Sequence, residues 1–148
     1  MTTTIAPLEL CLQISQAHAS LRLRLDDDLG TFHGLAFSDF ILLHLLAQRP
    51  GGCMAVADLV RPMGVPLSAV TRQLVLLEKT GWLQRESAAA DDARRLVVLR
   101  PAGRRLVNEA RATAEAVCND AVGDLAPDSQ VGLGVALSTL SESAALQA

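Results

Sequence analysis

Leu8, Leu12, Leu21, Leu25 and Leu29 recur at helical spacing, so a long helix is predicted over Leu8–Leu29. Pro7 fits its first turn, where a missing N–H costs little, and Gly30 is expected to stop it. Asp26-Asp27-Asp28 falls near the C-terminal end, where carboxylates oppose the helix dipole, and no local reason for the run is visible. Ser38–Gln48 reads as a second helix with Ser38 as its N-cap. Phe40, Leu42, Leu43, Leu45 and Leu46 make it apolar nearly all round, which predicts a central position. Arg49-Pro50-Gly51-Gly52 closes it. A short third helix is expected from Met54 to about Arg61, ending near Pro62 and Gly64.

A fourth helix is predicted from Pro66 or Leu67 to Thr80, with Val70, Leu74 and Leu77 as its apolar stripe and Gly81 just past its end. Trp82–Glu86 reads as a strand, Ser87–Arg94 as a polar loop and Leu96–Leu99 as the returning strand of a hairpin. Pro101 opens a long fifth helix with Leu106, Ala110, Ala114, Val117 and Ala121 in line, and Leu125-Ala126-Pro127 breaks it. A sixth helix, capped by Asp128 or Ser129, aligns Leu133, Leu137, Leu140 and Ala144. Two short helices joined through a glycine turn and followed by a hairpin describe a mainly α winged helix-turn-helix. The long terminal helices carry more apolar surface than one small core absorbs, which predicts a two-fold dimer. The expected division is an N-terminal dimerisation helix over 1–36, the winged helix-turn-helix over 37–100 and C-terminal dimerisation helices over 101–148, all in one integrated domain.

Composition narrows the class. Of 148 residues, 50% are hydrophobic and 20% charged, which excludes a mainly disordered chain. The strongest apolar stretch, Ile41–Ala47, is interrupted by His44 and falls far short of the ~18–20 residues that span a bilayer. The N-terminus has no basic lead, so no signal peptide is expected. Three cysteines at irregular spacing do not form a disulfide framework, and a reduced, cytoplasmic setting is expected. No metalloprotease, nucleophile-elbow or phosphate-cradling motif is present, so neither enzymatic activity nor a cofactor is expected.

The net charge of -3 conceals an asymmetry. Residues 61–105 hold nine basic and four acidic side chains, whereas both flanks are net acidic. Of the thirteen basic residues only Lys79 is not arginine, and arginine's planar fork suits phosphates and guanine edges. A basic centre between acidic flanks suits a polyanion that meets only the centre.

The stretch P-L-S-A-V-T-R-Q-L-V-L-L-E-K-T-G-W-L-Q-R, residues 66–85, resembles the MarR family of bacterial transcriptional regulators. The resemblance is carried by Ser68, Val70-Thr71-Arg72, Leu77-Glu78, Gly81, Trp82-Leu83 and Arg85. It continues upstream in His33-Gly34-Leu35 and Phe40, and downstream in Arg94-Arg95, Leu96–Leu99 and Pro101-Ala102-Gly103. Ala36 departs from the family, where Thr or Ser often caps, and Asp39 stands where Gln is common. The wing is out of step by one residue, so either Asp91 or Asp92 is the carboxylate that braces the wing arginine.

The resemblance implies a homodimer that reads double-stranded DNA at a pseudo-palindromic operator, as a repressor. A helix fits the major groove. Arg72 is then placed for a base edge or phosphate, Ser68 and Thr71 for phosphates, and Gln73 for an adenine unless it faces sideways. Arg94 and Arg95 are candidates for the minor groove, and Lys79 and Arg85 for backbone phosphates. The family also implies a cleft for small aromatic acids or phenols drawn from the first, second and fifth helices, with His18, Arg22 and His33 as candidate ligands for the effector's anion.

L-C-L-Q-I-S around Cys11 loosely resembles a peroxide-sensing branch of the family, making Cys11 a redox candidate. The chain has no Tyr to support such a thiol and Glu9 lies nearby, so a buried structural Cys11 is the favoured reading. Cys53 is expected at the start of a helix and Cys118 in the core. The three histidines are scattered, and no metal site is expected from them. The alternatives are a thiol- or metal-sensing regulator of the same fold, or a winged helix that docks another protein.

Overall fold

A computed structural model describes residues 4–86 and 91–145, without the side chain of Asp92. Helix α1 (Pro7–His33) runs straight past Gly30. A glycine ends a helix only where it takes a left-handed conformation, and Gly34, at φ 63°, does so. The expected stop at Gly30 is therefore corrected by four residues. Helix α2 (Phe37–Ala47) buries Phe40, Leu42, Leu43 and Leu46, as its all-round apolar pattern predicts.

Ser38 does not cap α2, whose N-cap residue is Ala36 with no capping side chain. The cap arrives from α1 instead: the Phe37 amide donates to Asp26 Oδ1 at 2.7 Å. Asp26 also pairs with Arg22 at 3.4 Å. Part of the acidic run thus has a tertiary purpose, because a carboxylate supports the positive N-terminus of a neighbouring helix.

Strand β1 (Cys53–Ala55) precedes α3 (Val56–Met63). The expected helix start at Met54 is corrected: Cys53 lies opposite Val98 in an antiparallel ladder, away from a helix N-terminus. Helix α4 (Leu67–Lys79) follows, then β2 (Leu83–Arg85), β3 (Leu96–Leu99), α5 (Pro101–Val122) and α6 (Pro127–Ala145). The sheet order is β1-β3-β2, with Leu83 opposite Leu99 and Arg85 opposite Val97. Residues 87–90 of the predicted wing loop lie outside the described residues.

One apolar core joins α1 through Leu25 and Leu29, α2 through Leu42 and Leu46, α4 through Leu74, and β3 through Val97. Val107, Ala110, Ala114 and Val117 seat α5 against it, whereas the expected stripe members Leu106 and Ala121 are only half-buried and exposed, respectively. No described residue of α6 is buried. Its Val131, Leu133, Val135, Leu137 and Leu140 face solvent, as do Ile5 just before α1 and Leu8, Leu10 and Leu12 at its start. No single helix in the described residues is long and apolar enough to cross a membrane.

Candidate nucleic-acid interface

The buried stripe Val70, Leu74 and Leu77 fixes which side of α4 faces outward. Ser68 and Arg72 lie on the exposed side, and Thr71 is half-buried on its flank. Among the described residues Arg72 has no hydrogen-bond or ion-pair partner, so its guanidinium is free to engage a ligand. Lys79 is also exposed, in the last turn.

Gln73 faces sideways. Its amide donates to Asp39 Oδ1 at 2.7 Å in a half-buried contact, which ties α4 to α2. This geometry favours an anchoring role over adenine reading, and it gives the unusual Asp39 a partner.

Arg85 is likewise engaged. Its Nε meets Glu78 Oε2 at 3.0 Å, and its backbone amide donates to Glu78 Oε1 at 3.1 Å. The Arg85 side chain is only 20% exposed, so the structure makes it a clamp between α4 and the wing and leaves little of it for a phosphate. The Arg85 backbone amide, then its guanidinium, and more weakly the charge of Arg95, hold the Glu78 carboxyl below its ordinary pKa. Burial acts in the opposite direction and is outweighed. Arg95 is half-buried and its carbonyl accepts from Val56 N at 2.9 Å, which places it at the foot of the wing.

Arg94 is the wing's outermost described cation, 87% exposed. Asp91 braces its turn: Asp91 Oδ1 accepts from the Ala93 amide at 3.0 Å and Oδ2 lies 3.9 Å from Arg94 Nε. Of the two aspartates left open by the sequence, Asp91 makes this contact; the side chain of Asp92 lies outside the described residues. Arg72 on the outer side of α4, unpartnered among the described residues, and an exposed Arg94 on a hairpin form a divided cationic surface that suits adjacent grooves of a duplex.

The histidine and cysteine candidates separate. His18 and Arg22 line a half-open cleft of about 440 Å³, whose other walls include Phe37 and Ile41 of α2, Met63 of α3, and Gln73 of α4. Its lining contains no residue of α5. His33 is not among the lining residues. It lies fifteen residues from His18, roughly 22 Å along α1, and its Nε2 meets Thr113 Oγ1 of α5 at 2.8 Å.

Cys11 is exposed in the protomer, contrary to the favoured buried reading, because no element covers the first turns of α1. Cys53 and Cys118 are half-buried. Sequence reasoning missed Asp26 and Asp39 as positioning residues. The acidic run and the departure at position 39 were the only signals, and neither names a partner.

A helical core that includes the inner stripe of α4, closed by a three-stranded antiparallel sheet, defines a winged helix-turn-helix protein. Residues 33–95 match the model of the MarR family. Solved structures agree with the whole fold. A MarR family transcriptional regulator from Streptomyces coelicolor, in complex with DNA, is 23% identical with a TM-score of 0.81, covering 97% of this chain and 91% of its own. BpsR of Bordetella bronchiseptica, whose DNA binding is regulated by 6-hydroxynicotinic acid, is 23% identical with a TM-score of 0.79, covering 89% of this chain and 98% of its own. A mutant MarR from E. coli complexed with operator DNA is 20% identical with a TM-score of 0.76, covering 88% and 92%. No curated protein matches the chain in sequence.

Proposed function

We propose that this protein is a homodimeric, sequence-specific DNA-binding repressor that acts by binding and not by catalysis. The observation that carries the reading is the exposed Arg72 on the outer side of α4, unpartnered among the described residues, with Arg94 standing out on the wing. The reading helix enters the major groove and the wing arginine the flanking minor groove. The winged helix corresponds to 37–100, and the terminal segments 1–36 and 101–148 form the dimer. Their support is the uncovered apolar surface of α6 and of the start of α1. Two-fold symmetry then requires a pseudo-palindromic operator with half-sites about one helical turn apart.

The effector is a small aromatic acid or phenol in the cleft beside His18 and Arg22, by analogy with the ligand that regulates BpsR. Phe37 and Ile41 suit its ring and Arg22 its anion. Because Gln73 of the reading helix forms part of the wall, an occupant favours one placement of α4 over another and so changes DNA affinity.

The deciding experiment is retention of genomic fragments by the purified protein at modest ionic strength against excess random competitor. A reproducible set of retained fragments is expected; no preference over competitor overturns the proposal. Arg94→Ala should weaken binding and flatten the dependence of affinity on salt by about one released ion. An unchanged slope removes the wing from the phosphate-lined groove. Truncation after Asp124 deletes α6 without touching the buried core and should yield monomers in sedimentation. A stable dimer would move the interface elsewhere.

A further inference from the structure

The reading helix carries a side chain that neither folding nor phosphate binding explains. Leu76 is 59% exposed on α4, although the core stripe of that helix is complete in Val70, Leu74 and Leu77. It lies one turn beyond Arg72 and three residues before Lys79, so its outer neighbours along the helix are cations. Gln73, one turn earlier on its inner flank, is held by Asp39 and leaves Leu76 next in line on the exposed side. Exposed leucines are common on protein surfaces, but this one sits among the groups that meet the duplex under the proposed function.

A major groove offers one apolar feature to such a side chain, the C5-methyl of thymine. A protein partner with an apolar pocket would meet the positive charges of Arg72, Lys79 and the wing around it, whereas DNA satisfies both the charges and the leucine. We propose, on the basis of the DNA-reading function above, that Leu76 is a specificity-determining residue that selects a thymine in each half-site by packing on its methyl group. Arg72 and Leu76 are offset by roughly 6 Å along the helix axis. At about 3.4 Å per base pair, the thymine lies about two pairs from the base or phosphate met by Arg72.

The test begins with selection of duplexes from a random pool by the full-length protein. Each thymine of the recovered half-site is then replaced singly by deoxyuridine, which removes the methyl group and keeps the pairing. One such replacement per half-site should weaken binding about four-fold, the worth of one buried methyl group. Leu76→Ala, at an exposed helix position where alanine is well tolerated, should bind the thymine and deoxyuridine duplexes equally. The inference is overturned if no thymine methyl affects the natural protein, or if Leu76→Ala keeps the same four-fold discrimination. A selection that enriches no sequence at all overturns the DNA-reading function itself, and the inference with it. A selected sequence without a methyl effect overturns the role of Leu76 alone.

Discussion

Arg72→Ala is expected to cost about 1–3 kcal/mol of specific binding, from several-fold to over a hundred-fold in affinity, if Arg72 reads a base edge. The residue is exposed and unpartnered among the described residues, so the substitution removes no internal contact and should leave thermal stability nearly unchanged. Titration of the selected operator and of random duplex, at one salt concentration, separates the two roles open to it. A loss confined to the operator marks a base contact. An equal loss on both duplexes marks a phosphate contact and removes base reading from Arg72. Arg85→Ala should behave differently, since its guanidinium belongs to the Glu78 clamp.

Gly103→Ala is expected to destabilise the protein by about 3 kcal/mol, the upper end for overpacking a filled site. In the first turn of α5 a methyl group at Gly103 would overlap the Trp82 carbonyl oxygen and stand 2.8 Å from Leu99 Cδ1. That oxygen is fixed, because it accepts the Arg100 amide at 2.9 Å. Backbone cannot yield as a side chain tip can, so α5 or the wing must shift. A fall of roughly 10 °C in the thermal midpoint is the measurable form of that cost. A midpoint within about three degrees of the natural protein would mean that the junction of wing and helix is softer than its packing implies.

Gly103 also illustrates what was legible in the chain. Pro101-Ala102-Gly103 was readable as part of a family resemblance, but the reason for the glycine is the carbonyl of Trp82, twenty-one residues away. The stripe of α4 was readable directly, because three leucine and valine positions at helical spacing admit one buried side. The end of α1 was misplaced since Gly30 and Gly34 are equal candidates locally, and only the packing of Leu29 and Leu35 into the core selects the second. The strand at Cys53 was missed for a similar reason: three residues carry no readable period, and β3 supplies the hydrogen bonds that make them a strand.

At the candidate interface the residue types were legible and their commitments were not. Ser68, Thr71, Arg72, Gln73, Lys79, Arg85, Arg94 and Arg95 were all named from pattern and resemblance. Gln73 and Arg85 turn out to be held by Asp39 and Glu78, whereas Arg72 has no partner among the described residues. The cleft likewise keeps His18 and Arg22 and leaves out His33, because the long α1 carries them to different neighbours.

Periodicity and charge alone determined the helices, the hairpin, the central α2 and a cationic middle segment, since each depends on residues close together along the chain. The tertiary structure decided which polar groups are spent on one another and which remain for a partner. The physical reason is that a side chain's hydrogen-bond capacity is finite, and its claimants lie on elements that come together only when the core closes.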